Sequence, residues 1–296
     1  MAAFAIALAI PAGAALVFFT RPPVLIVSDA QFVDLYGASR AKRQQVLASV
    51  SLFRRVKPVM VADGASPDML LVAVTEAAGK PLCVLFPNVY ASAAALYHEQ
   101  YPEIPAVLFA GNADTSGFPD PDDFLSVCRN DTATDLYRAG LMAGVLSGKN
   151  NAPDQGQMSV VLLLNRPQDP EKELFAGGVN AANPDLGVVF AGNVSEMPEE
   201  RTISCVVLAA GAGADHIERK PNVPIIMFTW LGPEFIPNNI MAVFDDSPWA
   251  LAVPAVRAAL KNGGQVKIPS KPLIFSGKIA DNGIFRMLEK SAKKTP

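Results

Sequence analysis

The middle of the chain, residues 131–193, constrains the fold most, because it alternates between helix and strand patterns twice in succession. Small and apolar residues recur at three- and four-residue spacing over residues 132–148, which predicts a helix able to lie close against a sheet. Residues 158–165 are then apolar almost without a break. A strand that is apolar on both sides needs helices on both faces of its sheet. This arrangement is typical of a parallel α/β layer.

The same alternation occurs before and after this middle stretch. Four strand-and-helix pairs precede it, and further strand patterns follow near residues 203–209, 223–229, 240–244 and 273–275. A polar segment rich in Asn, Asp and Pro, residues 111–123, interrupts the pattern where a first lobe would end. The chain has 296 residues, more than a typical single domain, so we predict an α/β protein with two Rossmann-like lobes, each built on a parallel sheet.

Composition and motifs exclude several classes of function. The formal net charge is −3, so no general basic field would attract nucleic acid. The chain has two histidines and carries no nucleophile elbow, phosphate-binding loop or zinc-type spacing. We therefore expect no enzyme activity, cofactor or metal. Cys83 and Cys205 lie within apolar strand patterns and are predicted to be buried free thiols.

The first 21 residues predict a signal peptide or a membrane anchor. Residues 2–19 are apolar, Arg21 is the first charged side chain, and no cysteine lies nearby for acylation. A run of this length is at the lower limit for crossing a bilayer. A buried core helix is the alternative reading. The favoured reading places the protein at the periplasmic or extracytoplasmic face of the membrane.

Candidate binding residues lie directly after the predicted strands, where ligands bind in open parallel sheets. Each also has a purely structural alternative: Asp29 as a helix cap, Phe32 as a core contact, Trp230 as a contact between lobes and the Gly211 turn as an ordinary tight connection. Aromatic rings beside a few polar groups suit a flat or cyclic polar ligand. The set consists of Asp29, Gln31, Phe32, Asn112, Asp114, Gly211, Trp230 and Asp245.

Two runs in the middle of the chain resemble a known family. Asp135-Leu-Tyr-Arg-Ala-Gly-Leu-Met-Ala-Gly-Val-Leu-Ser147 and Phe175-Ala-Gly-Gly-Val-Asn-Ala-Ala-Asn-Pro-Asp-Leu-Gly187 are similar to the basic membrane protein family. Its members are substrate-binding lipoproteins of ABC importers and include purine nucleoside receptors. Residues 101–110 resemble the fourth strand of that family. The resemblance spans residues 22–263 and is most specific in the central run.

The resemblance implies the type I periplasmic-binding-protein fold, with three strands crossing between lobes near residues 128–131, 244–246 and 272–276. Lobe 1 would then comprise residues 22–128 and 245–274, and lobe 2 residues 129–244 and 275–296. Ligand contacts carry over to Asp29, Phe32, Gly211 and either Asn112 or Asp114, and Phe175 is the contact we expect from the central run. Trp230 and Asp245 stand where the family has Asp and Lys, which changes the charge of the expected pocket.

The leading hypothesis is an extracytoplasmic solute-binding protein of an ABC importer. It would hold a small polar ligand, nucleoside-like or sugar-like, in a cleft between the lobes, and its partners would be that ligand, an ABC permease and the membrane. The alternative is a degenerate version of the same fold, tethered to the membrane as a sensor or interaction module without small-ligand transport. The substitutions at Trp230 and Asp245 motivate this alternative.

Overall fold

A computed structural model of the chain describes residues 15–111, 118–148, 158–164, 168–198, 202–209, 223–228, 239–261, 263–275, 279 and 282–296. The chain divides into two compact units. The first comprises Met1–Asn130 and Ser247–Ile268, and the second comprises Asp131–Asp246 and Pro269–Pro296.

The first unit is built on a six-stranded sheet in the order β11-β5-β4-β3-β1-β2, in which every strand pairing is parallel. Its core collects apolar residues such as Leu25, Phe86 and Leu108, all buried. The strands are β1 (Val24–Asp29), β2 (Val56–Val61), β3 (Cys83–Pro87), β4 (Ala106–Gly111), β5 (Leu125–Asn130) and β11 (Gly264–Ile268). The helices are α1 (Ala30–Tyr36), α2 (Ala38–Leu52), α3 (Pro67–Ala77), α4 (Ala91–Gln100) and α7 (Pro248–Ala259).

The second unit repeats this plan with one variation. Its six-stranded sheet has the order β12-β10-β9-β8-β6-β7, and only β12 runs antiparallel to its neighbour. The strands are β6 (Ser159–Leu163), β7 (Gly187–Ala191), β8 (Ile203–Leu208), β9 (Ile225–Met227), β10 (Ile240–Asp245) and β12 (Lys271–Ile274). The helices are α5 (Thr132–Ser147), α6 (Asp169–Ala182) and α8 (Asn282–Ser291).

The predicted α/β class with two parallel-dominated sheets is confirmed, and the differences are local. The connection after β1 forms two helices, α1 and α2, and Gly37 separates them with a φ of 91°. Strands β5 and β11 carry too many polar residues to be recognised in the sequence. Residues 271–274, assigned above to lobe 1, form a strand of the second sheet because Leu273 pairs with Val243.

The three cysteines are buried and unpaired. Cys83 and Cys205 are fully buried, as the apolar strand patterns predicted. Burial raises the pKa of Cys128 and that of Cys205 to about 12. These thiols are therefore small apolar core residues, protonated at neutral pH.

Helices α5 and α6 cross at backbone contact, and glycines make this approach possible. A Cβ atom added at Gly140 would lie 3.0 Å from the Val179 nitrogen and closer still to the Phe175 carbonyl oxygen. A Cβ added at Gly178 would lie 2.9 Å from the Leu141 nitrogen. The sequence predicted that the small face of α5 meets a sheet. Its glycines instead meet a second helix, because only glycine permits backbones to approach so closely.

We expect Gly178→Ala to destabilise the protein by about 2–4 kcal/mol, because the new methyl group overlaps backbone that cannot move without separating the helices. Gly177→Ala is the matched control. It lies one residue away in the same helix, and its added Cβ would meet nothing within 4 Å. This control should be neutral or stabilise by about 0.5–1 kcal/mol. Urea denaturation followed by circular dichroism measures both changes, and equal stabilities would contradict the close crossing.

A buried carboxylate fixes the segment that enters β12. Both oxygens of Asp135, on α5, accept from the backbone N–H of Ser270 at 3.0 Å. The Asp135 side chain is almost fully buried. Burial raises its pKa to about 6, although the Ser270 bonds and the nearby Arg138 charge act in the opposite direction. The guanidinium of Arg138 in turn donates to the Lys294 carbonyl oxygen at 2.7 Å, so one turn of α5 holds two distant segments.

Asp135 should make stability fall between about pH 4 and pH 6. Its folded-state pKa lies above the ordinary value of 3.8, so the folded protein binds this proton more tightly than the unfolded chain does. The resulting stabilisation is complete below pH 3.8 and is lost as the pH rises to about 6, by up to about 3 kcal/mol.

Asp135→Asn keeps an acceptor for Ser270 and removes the titration, so its melting temperature should decline less than that of the wild type across this window. Asp185→Asn changes an exposed carboxylate of the same unit and is the control. Thermal unfolding at a series of pH values provides the comparison. Identical slopes for the wild type and Asp135→Asn would count against this assignment.

Candidate functional site

The first sheet has its topological switch point at β1. From β1 the chain continues to β2 on one side of the sheet and then to β3 on the other. The connections leave β1 and β3 on opposite faces of the sheet, which opens a crevice at the carboxyl ends of these two strands. In open α/β sheets this crevice is where ligands bind.

Asp29 lies at this crevice, because it is the last residue of β1. One carboxylate oxygen caps α1 by accepting from the Phe32 backbone N–H at 2.6 Å. The other accepts from the Tyr90 hydroxyl, also at 2.6 Å. Tyr90 follows β3, so this bond spans the crevice from strand to strand. The predicted helix cap at Asp29 is thus present, and the same carboxylate also lies at the predicted position for a ligand contact.

Burial and the bond to Asp29 both raise the pKa of Tyr90 above its usual range. Tyr90 therefore remains a neutral hydrogen-bond donor at every physiological pH. The Tyr90 side chain is 7% exposed, whereas Asp29 is only partly buried. A carboxylate oxygen has two lone pairs, so Asp29 can accept a further hydrogen bond from solvent or from a ligand.

Aromatic rings line up behind Asp29 along the two helices that follow β1. The rings of Phe32 and Tyr36 are stacked, with centroids 6.2 Å apart and planes inclined by 2°. The guanidinium of Arg40 lies over Tyr36 at 5.3 Å from its centroid. Tyr36 is fully buried and Phe32 is half-buried. The row therefore anchors Phe32, the ring closest to the crevice, in a fixed orientation.

The structure brings three of the predicted site residues together in the first unit. Gln31 is exposed in the first turn of α1, beside Asp29 and Phe32. Asn112 and Asp114 lie outside the described residues, directly after β4, which ends at Gly111 with a φ of 59°.

In the second unit two of the four predicted residues, Phe175 and Asp245, fall within the described residues. Gly211 and Trp230 lie outside the described residues. Asp245 ends β10 and is fully buried, opposite Lys271 of β12. Phe175 lies in the hydrophobic core, fully buried, with its ring centroid 6.4 Å from that of Phe190. This location differs from the expected ligand contact. The Phe175 side chain packs inside the unit because α6 lies so close to α5.

Tyr90 is the residue that the sequence reasoning missed. It lies in a short 3-10 helix, Asn88–Tyr90, that follows β3. Its position three residues after a buried strand was a usable signal, since the other candidates were chosen by the same rule.

A separate surface pocket of about 640 Å³ lies at the other end of the strands of the same sheet. It is lined by Leu82, Pro105 and Phe124, which directly precede β3, β4 and β5. This pocket is at the amino ends of the strands, away from the switch-point crevice, and no predicted site residue lines it.

Two absences concern the described part of the chain alone. No group of three or more His, Cys, Asp or Glu side chains there could hold a metal ion. No helix within the described ranges is long and apolar enough to span a membrane.

Comparison with solved structures supports the type I periplasmic-binding-protein fold. AraP, an arabinose binding protein from Geobacillus stearothermophilus, is 15% identical, with 87% of this chain and 98% of that chain covered and a TM-score of 0.54. A solute-binding protein of an ABC transporter system from Conexibacter woesei is 14% identical, with coverages of 91% and 94% and a TM-score of 0.52. A transcriptional activator of the comK gene from Bacillus halodurans is 14% identical, with coverages of 91% and 95% and a TM-score of 0.54.

No family model matches the sequence, and no curated protein matches it either. The structural likeness therefore defines the class by fold: an α/β protein of the periplasmic-binding type, whose structural neighbours are binding proteins and a regulator.

Tyr90→Phe should lower the free energy of unfolding by about 1–3 kcal/mol, because it removes a hydrogen bond to a carboxylate and leaves one oxygen of Asp29 unpaired. Tyr101→Phe is the control, since the Tyr101 hydroxyl has only a long 3.5 Å contact with Thr75. That control should change stability by less than about 0.5 kcal/mol. Denaturant titration of both variants tests the prediction, and equal effects would mean that the bond across the crevice contributes nothing.

Proposed function

We propose that the protein is an extracytoplasmic solute-binding protein of an ABC importer, with a small polar ligand bound at the carboxyl ends of its strands. The observation that carries this proposal is the Asp29 cluster at the switch point of the first sheet. A carboxylate with free lone pairs, an exposed amide and a fixed aromatic edge stand together there. Such a set recognises hydroxyl groups on an apolar ring.

The chemistry of this cluster favours a polyhydroxylated ligand. Asp29 can accept from ligand hydroxyls, and the Gln31 amide can both donate and accept. Phe32 offers an apolar edge for the C–H face of a sugar or for a nucleobase. The structural likeness to AraP, an arabinose binding protein, makes sugars the first class to test. The resemblance to the basic membrane protein family makes nucleosides the second.

The remaining proposed contacts are Asn112, Asp114, Gly211 and Trp230, whereas Asp245, like Phe175, is fully buried and is left out. An indole at Trp230, in place of the family's Asp, would make this side of the pocket uncharged. An indole face is a common platform for a sugar ring. Such a protein would deliver its ligand to an ABC permease and would perform no chemistry itself.

A thermal-shift screen of the full chain against pentoses, hexoses, nucleosides and amino acids tests the proposal. Ligand that binds only the folded state stabilises by mass action, by about 2.7 kcal/mol at a hundredfold excess over Kd. We expect a shift with a sugar or a nucleoside and confirmation by isothermal titration. No response to any class would contradict solute binding and favour the tethered interaction module.

Gln31→Ala should weaken binding of that ligand roughly tenfold, because one hydrogen bond at the crevice is worth about 1–1.5 kcal/mol. Stability should be unchanged, since Gln31 is exposed. Gln100→Ala is the matched control, an exposed glutamine at the end of α4, and should bind as the wild type does. Titration calorimetry measures both, and equal affinities would place the ligand elsewhere.

A further inference from the structure

In one segment of this acidic protein, all charged side chains are basic. Residues 38–57, which include α2 and the start of β2, contain six Lys and Arg side chains and no Asp or Glu: Arg40, Lys42, Arg43, Arg54, Arg55 and Lys57. The chain as a whole has a net charge of −3. Helix α7, which packs against α2 through the bond from Arg257 to the Ser51 carbonyl oxygen, has no acidic residue either.

The outer face of α2 combines this charge with exposed apolar side chains. Its inner face, with Ala41, Gln44 and Ala48, is buried. On the outer face Lys42 and Arg43 are exposed, and the following turns present three aliphatic residues. These are Val46, Leu47 and Val50, which are 55%, 45% and 71% exposed.

A second exposed apolar segment adjoins the end of α2. Phe53, which caps α2, packs edge-on against Phe18 with centroids 5.9 Å apart, and Arg21 lies 5.4 Å from the Phe53 ring centroid. Phe18 belongs to helical residues 15–20, in which Leu16 and Phe19 are 66% and 61% exposed. The α2 outer face and these residues hold half of the large exposed hydrophobic side chains in the described part of the chain.

We propose that this surface, formed by the outer face of α2 and residues 15–21, lies on a lipid bilayer that carries anionic headgroups. Helices that rest in a membrane interface combine Lys and Arg with exposed aliphatic and aromatic residues. The basic side chains are attracted to the headgroups, while Val46, Val50, Leu16 and Phe19 enter the acyl boundary. Residues 15–19 of this surface are also the end of the apolar run 2–19, which is the part of the sequence most suited to contact with lipid. An acidic protein partner would suit the charges but not the aliphatic residues.

Vesicle flotation of the full chain tests the proposal, with phosphatidylcholine alone and with phosphatidylcholine mixed with phosphatidylglycerol. We expect the wild type to prefer the anionic vesicles and to lose that preference as salt is added. Lys42→Glu with Arg43→Glu should reduce binding to anionic vesicles roughly tenfold or more, since each basic residue near such a surface contributes about fivefold. Lys80→Glu, an exposed lysine outside the surface, is the control.

A fluorescent probe identifies what covers the face. Val50→Cys can be labelled with an environment-sensitive dye, because the native cysteines are buried. Its emission should shift to the blue on anionic vesicles, whereas the same dye at Val72→Cys, 56% exposed on α3, should not respond.

Three results would overturn the proposal. If the emission of the dye at Val50→Cys did not change on vesicles that bind the protein, all lipid contact would be assigned to residues 2–19. A blue shift without vesicles at low protein concentration would show that another part of this chain covers the face. A shift that grows with protein concentration, together with dimers in light scattering, would show that a second copy is the occupant.

Discussion

The structure depends on one constraint: central strands such as β1 and β8 are buried on both sides, so water must be excluded from both faces of each sheet there. Val24 to Val27 are all completely buried in β1, and every residue of β8 from Ile203 to Leu208 is buried. Parallel strands of this kind require crossover helices on both faces. The side chains of a strand such as β1 are packed under helices along its length, so its partly exposed polar side chain, Asp29, is confined to its end. That confinement makes a strand end such as Asp29 a place where function can be sought.

Periodicity in the sequence was sufficient to predict the layers, because it reports burial directly. It could not predict what the small residues of α5 would meet. Gly140 and Gly178 are far apart in the chain, and each looks like a weak point in a helix when considered alone. Their value appears only as a pair, since each removes the Cβ atom that would strike the backbone of the other helix. Likewise β11 alternates exposed and half-buried residues at the edge of its sheet, and so resembles a loop in sequence.

The candidate site was predictable to the same extent. Asp29 and Phe32 could be selected because they follow a buried strand directly. Tyr90 lies 61 residues further on, and nothing local marks its hydroxyl as the partner of Asp29. Phe175 shows the converse. It was the ligand contact expected from the central run, but the close crossing of α5 and α6 buries its ring in the core. A resemblance between sequences predicts the fold more reliably than it predicts the roles of individual side chains.

The first unit also separates its two proposed surfaces in space. Asp29 is at the carboxyl end of β1, whereas Pro22, which accepts a hydrogen bond from Arg54, lies two residues before the amino end of that strand. Helix α2 runs back from the carboxyl end of β1 towards its amino end. The apolar turns of α2 and Phe53 therefore lie near the amino end of the strand. A strand of six residues spans roughly 20 Å. The apolar turns of α2 and Phe53 are therefore separated from the Asp29 crevice by roughly this distance along the strand. The two proposals therefore concern different residues of the first unit, and neither requires the other.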